Sequence, residues 1–278
     1  MPRIFDFGGR DVERTVTVAQ LKGLKHSGRR LAQVTAETAE EAAAADAAGI
    51  EMVVCRAADL ARVRAGSTRL FVTAALGFAE AVTADEILRA AVAAVTGGAD
   101  AVLTGRGMDT VRMLSAEQIP VVGHLGFVPR KSTWIGSVRA VGKGAAEALT
   151  LYDRFRRLED AGAFAAECEL VAAPVMAEID RLTGLVTISL GSGESADVIF
   201  LFTSDICGES PALPRHARAF ADLAALHRQV RSERGRALGA FRAAVAARAY
   251  PAEGETATLP EGELAAFRAA LARAGSAG

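Results

Sequence analysis

The chain has 278 residues, with 32 lysines and arginines against 33 aspartates and glutamates and a formal net charge of −1. That balance creates no global field to draw nucleic acid or an anionic membrane, so neither is expected as a partner. The length suits one (β/α)-type domain with a full core. An alanine-rich composition with only 5% aromatic residues suits helices packed closely on a sheet.

In chain order, Leu31–Thr35 reads as a first strand and residues 37–48 as its helix. Met52–Cys55 and Leu70–Thr73 follow as the second and third strands. Thr83 with Glu86 makes a capping box that opens a helix running to about Thr96, and Gly97 and Gly98 end it. Ala101–Thr104 is the fourth strand. The fifth, Pro120–His124, is a β-branched run that leads into Gly123-His124-Leu125-Gly126. A helix over residues 144–160 precedes a sixth strand within Ala163–Glu169. Val186–Leu190 is the seventh and runs into Gly191-Ser192-Gly193, and Val198–Phe202 is the eighth. Eight strands alternating with helices predict an α/β fold, a (β/α)8 TIM barrel, with a doubly wound open sheet as the alternative. The barrel domain is expected over residues 1–250. Residues 251–278 are expected to form a linker and a short C-terminal helix, Glu261–Ala274, that serves packing or subunit contact.

No basic segment leading into an apolar run opens the sequence, so no signal peptide is expected. Long apolar stretches are interrupted by charges, as in Phe164–Leu170, so no bilayer span is expected either. Cys55, Cys168 and Cys207 are odd in number and widely spaced. They form no metal-type pattern and point to a reduced, cytoplasmic protein.

The chemistry is expected at the C-terminal ends of the strands. His124 ends the fifth strand between two glycines. Two readings stay open there, a substrate-facing histidine and a structural one hydrogen-bonded in a βα turn. Glu169 ends an otherwise apolar strand, where a carboxylate is costly unless it is paired or functional. Desolvation would raise its pKa and suit it to proton abstraction. Glu167 is expected to face the other way, toward the helix layer or a loop. Cys55 and Cys168 read as packed thiols, and Trp134 as a plug of its loop against the barrel.

The segment Ile119–Gly144 resembles ketopantoate (3-methyl-2-oxobutanoate) hydroxymethyltransferases. The likeness rests on the Pro-Val-x-Gly-His-Leu-Gly strand end, the proline after it, and the loop Gly136-Ser-Val-Arg-Ala-Val-Gly-Lys-Gly144. It extends through Val34-Thr-Ala36, Leu158–Ala163, Ser192-Gly193 and Pro214–Phe220, from about Val16 to Pro251. The resemblance implies a homo-oligomeric enzyme acting on a small 2-keto acid. Such an enzyme removes a proton from the carbon beside the carbonyl of 3-methyl-2-oxobutanoate. The enolate then adds a one-carbon unit from 5,10-methylenetetrahydrofolate, a step of pantothenate biosynthesis. The resemblance also implies that Glu169 is the catalytic base and that Mg²⁺ is held by acids at three strand ends.

This chain departs from that pattern where the metal belongs. The first acid aligns with Ala57 in Arg56-Ala57-Ala58 and the second with Ala75. The third aligns with Gly105 in Leu103-Thr104-Gly105. The Mg²⁺ site is therefore expected to be lost, with no other metal ligand set in view. Arg56 and Arg106 neighbour two of these positions. Guanidinium groups bind carboxylates through paired hydrogen bonds, so both are candidates to hold the keto acid beside His124. A non-catalytic binding or assembly protein that kept the barrel is the alternative reading.

Overall fold

A computed structural model of the chain describes residues 1–275. The elements in order are β1 (Arg3–Phe5), β2 (Asp11–Glu13), α1 (Val18–Leu24), β3 (Leu31–Thr35), α2 (Ala39–Ala47), β4 (Met52–Arg56), α3 (Leu60–Gly66), β5 (Phe71–Ala75), α4 (Ala84–Thr96), β6 (Ala101–Thr104), α5 (Met108–Ala116), β7 (Val121–Gly126), α6 (Ser132–Ile135), α7 (Ala145–Asp160), β8 (Ala165–Glu169), α8 (Ala173–Leu182), β9 (Val186–Leu190), β10 (Val198–Leu201), α9 (Thr203–Ile206), α10 (Leu223–Ala246) and α11 (Glu263–Gly275).

Strands β3 to β10 pair in parallel and close on themselves, because β10 is hydrogen-bonded to both β9 and β3. The fold is a (β/α)8 barrel and not an open sheet. Successive side chains on a strand alternate between the two faces. The inward set Met52, Val54, Phe71, Val122, Ile188 and Phe200 makes one buried cluster inside the barrel. The outward set, including Val53, Val72 and Val102, packs with Leu114, Phe155 and Met176 of the helices in a second cluster. Full burial of each such side chain contributes roughly 1.5–3 kcal/mol. Val16 and Leu21 join the inner cluster, so the segment into α1 closes the N-terminal end of the barrel.

Capping follows the local sequence. Thr38 and Thr83 accept from the backbone N–H groups of Glu41 and Glu86, whose side chains reach back to the cap. Beneath the barrel, Asp100 accepts from Arg14 Nε and Arg64 Nη2, each at 2.7 Å, and from the backbone N–H of Val72 at 2.8 Å.

Three departures from the sequence-based expectation concern organisation. The antiparallel pair β1–β2 was not foreseen, since strands of three residues carry too little periodicity to read. Strand β7 runs two residues past His124 to Gly126. The chain divides into compact units at residues 221 and 222, so α10 belongs with the C-terminal segment and not with the barrel. That second unit consists of the 24-residue α10, a short connection and α11. Within it, Phe241 meets Tyr250 edge-on with ring centroids 5.2 Å apart. No helix among the described residues is long and apolar enough to cross a membrane.

Candidate active site at the barrel mouth

Strand β8 carries Ala165, Glu167 and Glu169 on one face and Ala166 and Cys168 on the other, because residues two apart share a face. The expectation for Glu167 is thereby corrected: it turns inward with Glu169. The β7–β8 ladder sets His124 directly opposite Glu167, and Gly126 opposite Glu169. Nε2 of His124 lies 3.0 Å from a Glu169 carboxylate oxygen and 3.8 Å from one of Glu167. With Glu169 ionised, the neutral tautomer bearing Nε2–H donates to it.

These three groups line a cavity of about 310 Å³ at the C-terminal mouth. Val54, Ala75 and Leu103 give its β4–β6 wall an apolar patch beside Arg56, and Phe200 and Phe202 line it on the other side of the barrel. Glu167 is 6% exposed and makes no hydrogen bond among the described residues. Burial, the largest cause, raises its pKa to about 7. The facing His124 works against that rise and the neighbouring Glu169 adds to it. A carboxyl that stays half protonated near neutrality is thus set beside a hydrogen-bonded carboxylate.

The end of β8 is held from two sides. Ser192 donates its hydroxyl to the Cys168 carbonyl at 2.6 Å and accepts from the Val171 N–H at 2.8 Å. The Phe127 N–H donates to the Glu169 carbonyl at 2.7 Å. Leu170, just beyond Glu169, has φ of 48°, a left-handed conformation that a leucine adopts only under constraint. Both buried thiols lie on outward faces. Burial pushes Cys55 up to about 12 and Cys168 upward as well, so neither supplies a thiolate.

The two arginines named from the sequence are not brought together. Arg56 lines the mouth cavity, with Nε 2.7 Å from Asp59 and a guanidinium nitrogen 3.9 Å from Glu37. Arg106 lines the two cavities next to it. Its Nη2 donates to the carbonyls of Gly77, Phe78 and Ala81, which ties down the loop after β5. Arg130 was not among the residues singled out from the sequence. A Cβ on Gly105 would lie 3.0 Å from Arg130 Nη2, so this guanidinium occupies the space above the glycine. Trp134 is 90% exposed in α6 and plugs nothing.

The Mg²⁺ that the family resemblance implies does not fit the three strand-end positions where that resemblance expects acids: these carry Ala57, Ala75 and Gly105, none of which offers a side-chain oxygen. A different group of donors stands on β7 and β8. One ligand atom each from His124, Glu167 and Glu169 lies within 4.8 Å of the other two. An imidazole with two carboxylates suits zinc or manganese better than an all-oxygen magnesium cage.

The fold and the position of this cluster define a barrel protein whose candidate site lies at the strand ends, where (β/α)8 enzymes carry theirs. The family model of ketopantoate hydroxymethyltransferase matches residues 56–253. The 3-methyl-2-oxobutanoate hydroxymethyltransferase of Hyperthermus butylicus is 33% identical over 244 residues, 78% of this chain and 84% of that protein. Its namesake from Roseiflexus sp. is 31% identical over 274 residues, 89% and 96% of the two chains. The chain belongs to the ketopantoate hydroxymethyltransferase family. Among solved structures, a phosphonopyruvate hydrolase complexed with oxalate and Mg²⁺ shares the fold. Its TM-score is 0.54 at 15% identity, over 86% of this chain and 93% of that one.

Proposed function

We propose that this protein enolises a small 2-keto acid and adds a one-carbon unit to it, as a hydroxymethyltransferase that works without the family's three-acid Mg²⁺ site. The observation that carries this reading is the pair Glu167 and Glu169 on one strand face, with His124 bridging toward both. Glu169 is the base and takes the proton from the carbon beside the carbonyl. The C–H electron pair becomes the new carbon–carbon double bond, and the carbonyl pair moves to oxygen. Glu167 gives its proton to that oxygen. His124 holds Glu169 in position through Nε2, and Arg56 at the rim meets the substrate carboxylate. Arg106 acts from beside the mouth by fixing the loop after β5 through the carbonyls of Gly77, Phe78 and Ala81. Water opens 5,10-methylenetetrahydrofolate, both C–N bonds break to the nitrogens, and tetrahydrofolate and formaldehyde result. C3 of the enol then bonds to the formaldehyde carbon, the enol O–H proton returns to Glu167 as the carbonyl re-forms, and the new alkoxide takes the proton held by Glu169.

A proton on Glu167 performs part of what a Lewis acid would do, since both neutralise charge growing on the carbonyl oxygen. Burial of Glu167 keeps that proton in place by disfavouring the ionised carboxyl. Homo-oligomeric assembly and residence in the cytoplasm belong to the same proposal, on the strength of the family.

Exchange of the C3 proton of 3-methyl-2-oxobutanoate for deuterium, followed by NMR in the presence of EDTA, tests the half-reaction without folate. Exchange that disappears in Glu169→Gln supports the reading. Wild-type protein that exchanges nothing, with or without Mg²⁺, supports instead the non-catalytic alternative to which the three missing acids point.

A further inference from the structure

The inward side chains of a (β/α)8 barrel stack in levels, each supplied by alternate strands, because the tilted strands climb by about one residue from each to the next. The ladder registers set Glu167 at one level with Leu103 and Phe200, at the floor of the mouth cavity. His124 stands a level higher with Ala75 and Leu190, and Glu169 reaches the rim with Arg56 and Phe202.

The charged groups occupy only part of this circumference. Glu167 and Glu169 stand on β8, beside His124 on β7. Arg56 belongs to β4, four strands from β8 and so opposite it across the mouth. Two flanks separate them, and neither brings a charged side chain from its strands. On one, Ala75 of β5 and Leu103 of β6 are register partners. On the other, Leu190 of β9 lies beside Phe200 and Phe202 of β10, whose ring centroids are 5.3 Å apart.

The two flanks differ in bulk. Leu190, Phe200 and Phe202 fill theirs with large side chains, whereas β5 contributes only the methyl of Ala75, at a position where the family resemblance expects an acid. Free space therefore lies over Ala75 and against Leu103. The cavity as a whole measures about 310 Å³, and pockets of roughly 300 Å³ and above enclose drug-sized ligands. A five-carbon keto acid is smaller than that. Apolar walls offer water no hydrogen bond, so a larger apolar substituent gains by covering them.

We propose that the mouth cavity prefers a 2-keto acid whose C3 carries an apolar group larger than methyl, seated over Ala75 and against Leu103. The proposal rests on the enolisation reading of the same site and narrows its substrate class. The carboxylate meets Arg56, the carbonyl oxygen faces Glu167 and the C3 proton faces Glu169, which leaves the C3 substituent to turn toward the roomier flank. Ala75 is then the residue that sets the size of group accepted.

The test measures C3 deuterium exchange by the full chain with 3-methyl-2-oxobutanoate, 3-methyl-2-oxopentanoate and phenylpyruvate, corrected for uncatalysed exchange. Binding heat gives the affinity for each acid. One methylene in an apolar pocket changes kcat/KM by about tenfold or more. At least one larger acid should therefore exceed 3-methyl-2-oxobutanoate by about fivefold or more in kcat/KM, and Ala75→Leu should reverse that order. A smaller ratio overturns the proposal, as does an order unchanged in a folded Ala75→Leu; the wild-type comparison needs no variant to fold. Exchange with 3-methyl-2-oxobutanoate alone overturns the size preference and leaves the enolisation reading standing. If no acid exchanges but a larger one binds about fivefold more tightly, the enolisation reading falls and the preference stands. No exchange and no such difference in binding overturns both.

Discussion

Glu167 and Glu169 stand two residues apart on the inner face of β8, and only Glu169 has a hydrogen-bond partner, Nε2 of His124 at 3.0 Å. The same strand face therefore carries one carboxyl held by an imidazole and one whose charge is opposed by burial. A buried carboxyl that keeps its proton beside a second carboxyl lets one site hold both an acid and a base. Substituting Glu169→Gln keeps the shape and removes the base. Deuterium exchange at C3 of the keto acid should fall by roughly 10²- to 10⁴-fold with the fold intact. Exchange within twofold of wild type removes Glu169 from the mechanism.

The position of Glu167 sets a pH dependence with a definite sign. Its carboxyl titrates near 7, and the protonated form is the one that donates. Exchange should therefore decline as pH rises above about 7, and Glu167→Gln should lower the rate and abolish that alkaline decline. Stability follows the same linkage. Between an ordinary value of 4.5 and about 7, the folded state holds a proton that the unfolded chain has released. Stability is thus lost as pH rises through this window, by about 3 kcal/mol at most. Urea unfolding at pH 5 and pH 8 should show Glu167→Gln losing less stability than wild type across that interval. Equal losses would mean that the buried carboxyl is charged throughout.

How much of this was legible in the sequence depended on the range of the signal. The barrel could be read because eight short apolar runs, among them Leu31–Thr35, Ala101–Thr104 and Val186–Leu190, carry their own periodicity and capping. Glu169 and His124 could be named because each interrupts an apolar strand at its C-terminal end. Glu167 was legible in principle, since residues two apart on a strand share a face, and the misjudged face hid the acid partner. Arg130 was not legible. It reaches the space over Gly105 from the segment after β7, and no local pattern records where a side chain 25 positions away will lie. Nor could the sequence reveal that Arg106 has its Nη2 engaged with three carbonyls instead of facing the mouth, because those partners belong to the loop after β5.

The donors of His124, Glu167 and Glu169 lie within 4.8 Å of one another, while ligand atoms on one tetrahedral ion stand roughly 3.4 Å apart. Small rotamer shifts would let Zn²⁺ take all three. An ion there would hold Glu169 and displace the proton of Glu167, so it should inhibit the chemistry. Micromolar Zn²⁺ is expected to suppress deuterium exchange, and EDTA to restore it to the metal-free rate, with Mg²⁺ neutral. Exchange that requires a divalent ion and is lost in EDTA contradicts the metal-free reading of the mouth.

Asp100 is the anchor of the N-terminal end. It accepts from two guanidinium groups and a backbone N–H, and Arg14, one of its partners, is only 2% exposed. Asp100→Ala leaves Arg14 and Arg64 without their shared counter-ion in a buried setting. Such losses cost about 3–5 kcal/mol. At roughly 2–4 °C per kcal/mol for a domain of this size, the midpoint of thermal unfolding should drop by about 6–20 °C. A shift under 2 °C would show that water reaches the pair.

Gly126 tests whether the base is positioned by the backbone. Its φ is +87°, and a Cβ there would lie 2.2 Å from the Glu169 carbonyl oxygen. That oxygen accepts from the Phe127 N–H at 2.7 Å, so the two strand ends are joined where the catalytic carboxylate departs. Alanine at this position meets both strain and collision, and neither can relax without moving the end of β8. The strain alone costs about 1–2 kcal/mol. Misplacing a reacting group by an ångström, however, lowers a rate by roughly 100-fold. Gly126→Ala should therefore cut exchange far more than that loss of stability accounts for, and a chain that unfolds at nearly the wild-type temperature should exchange slowly. If activity and stability fall in step, the close approach serves folding alone and does not aim Glu169.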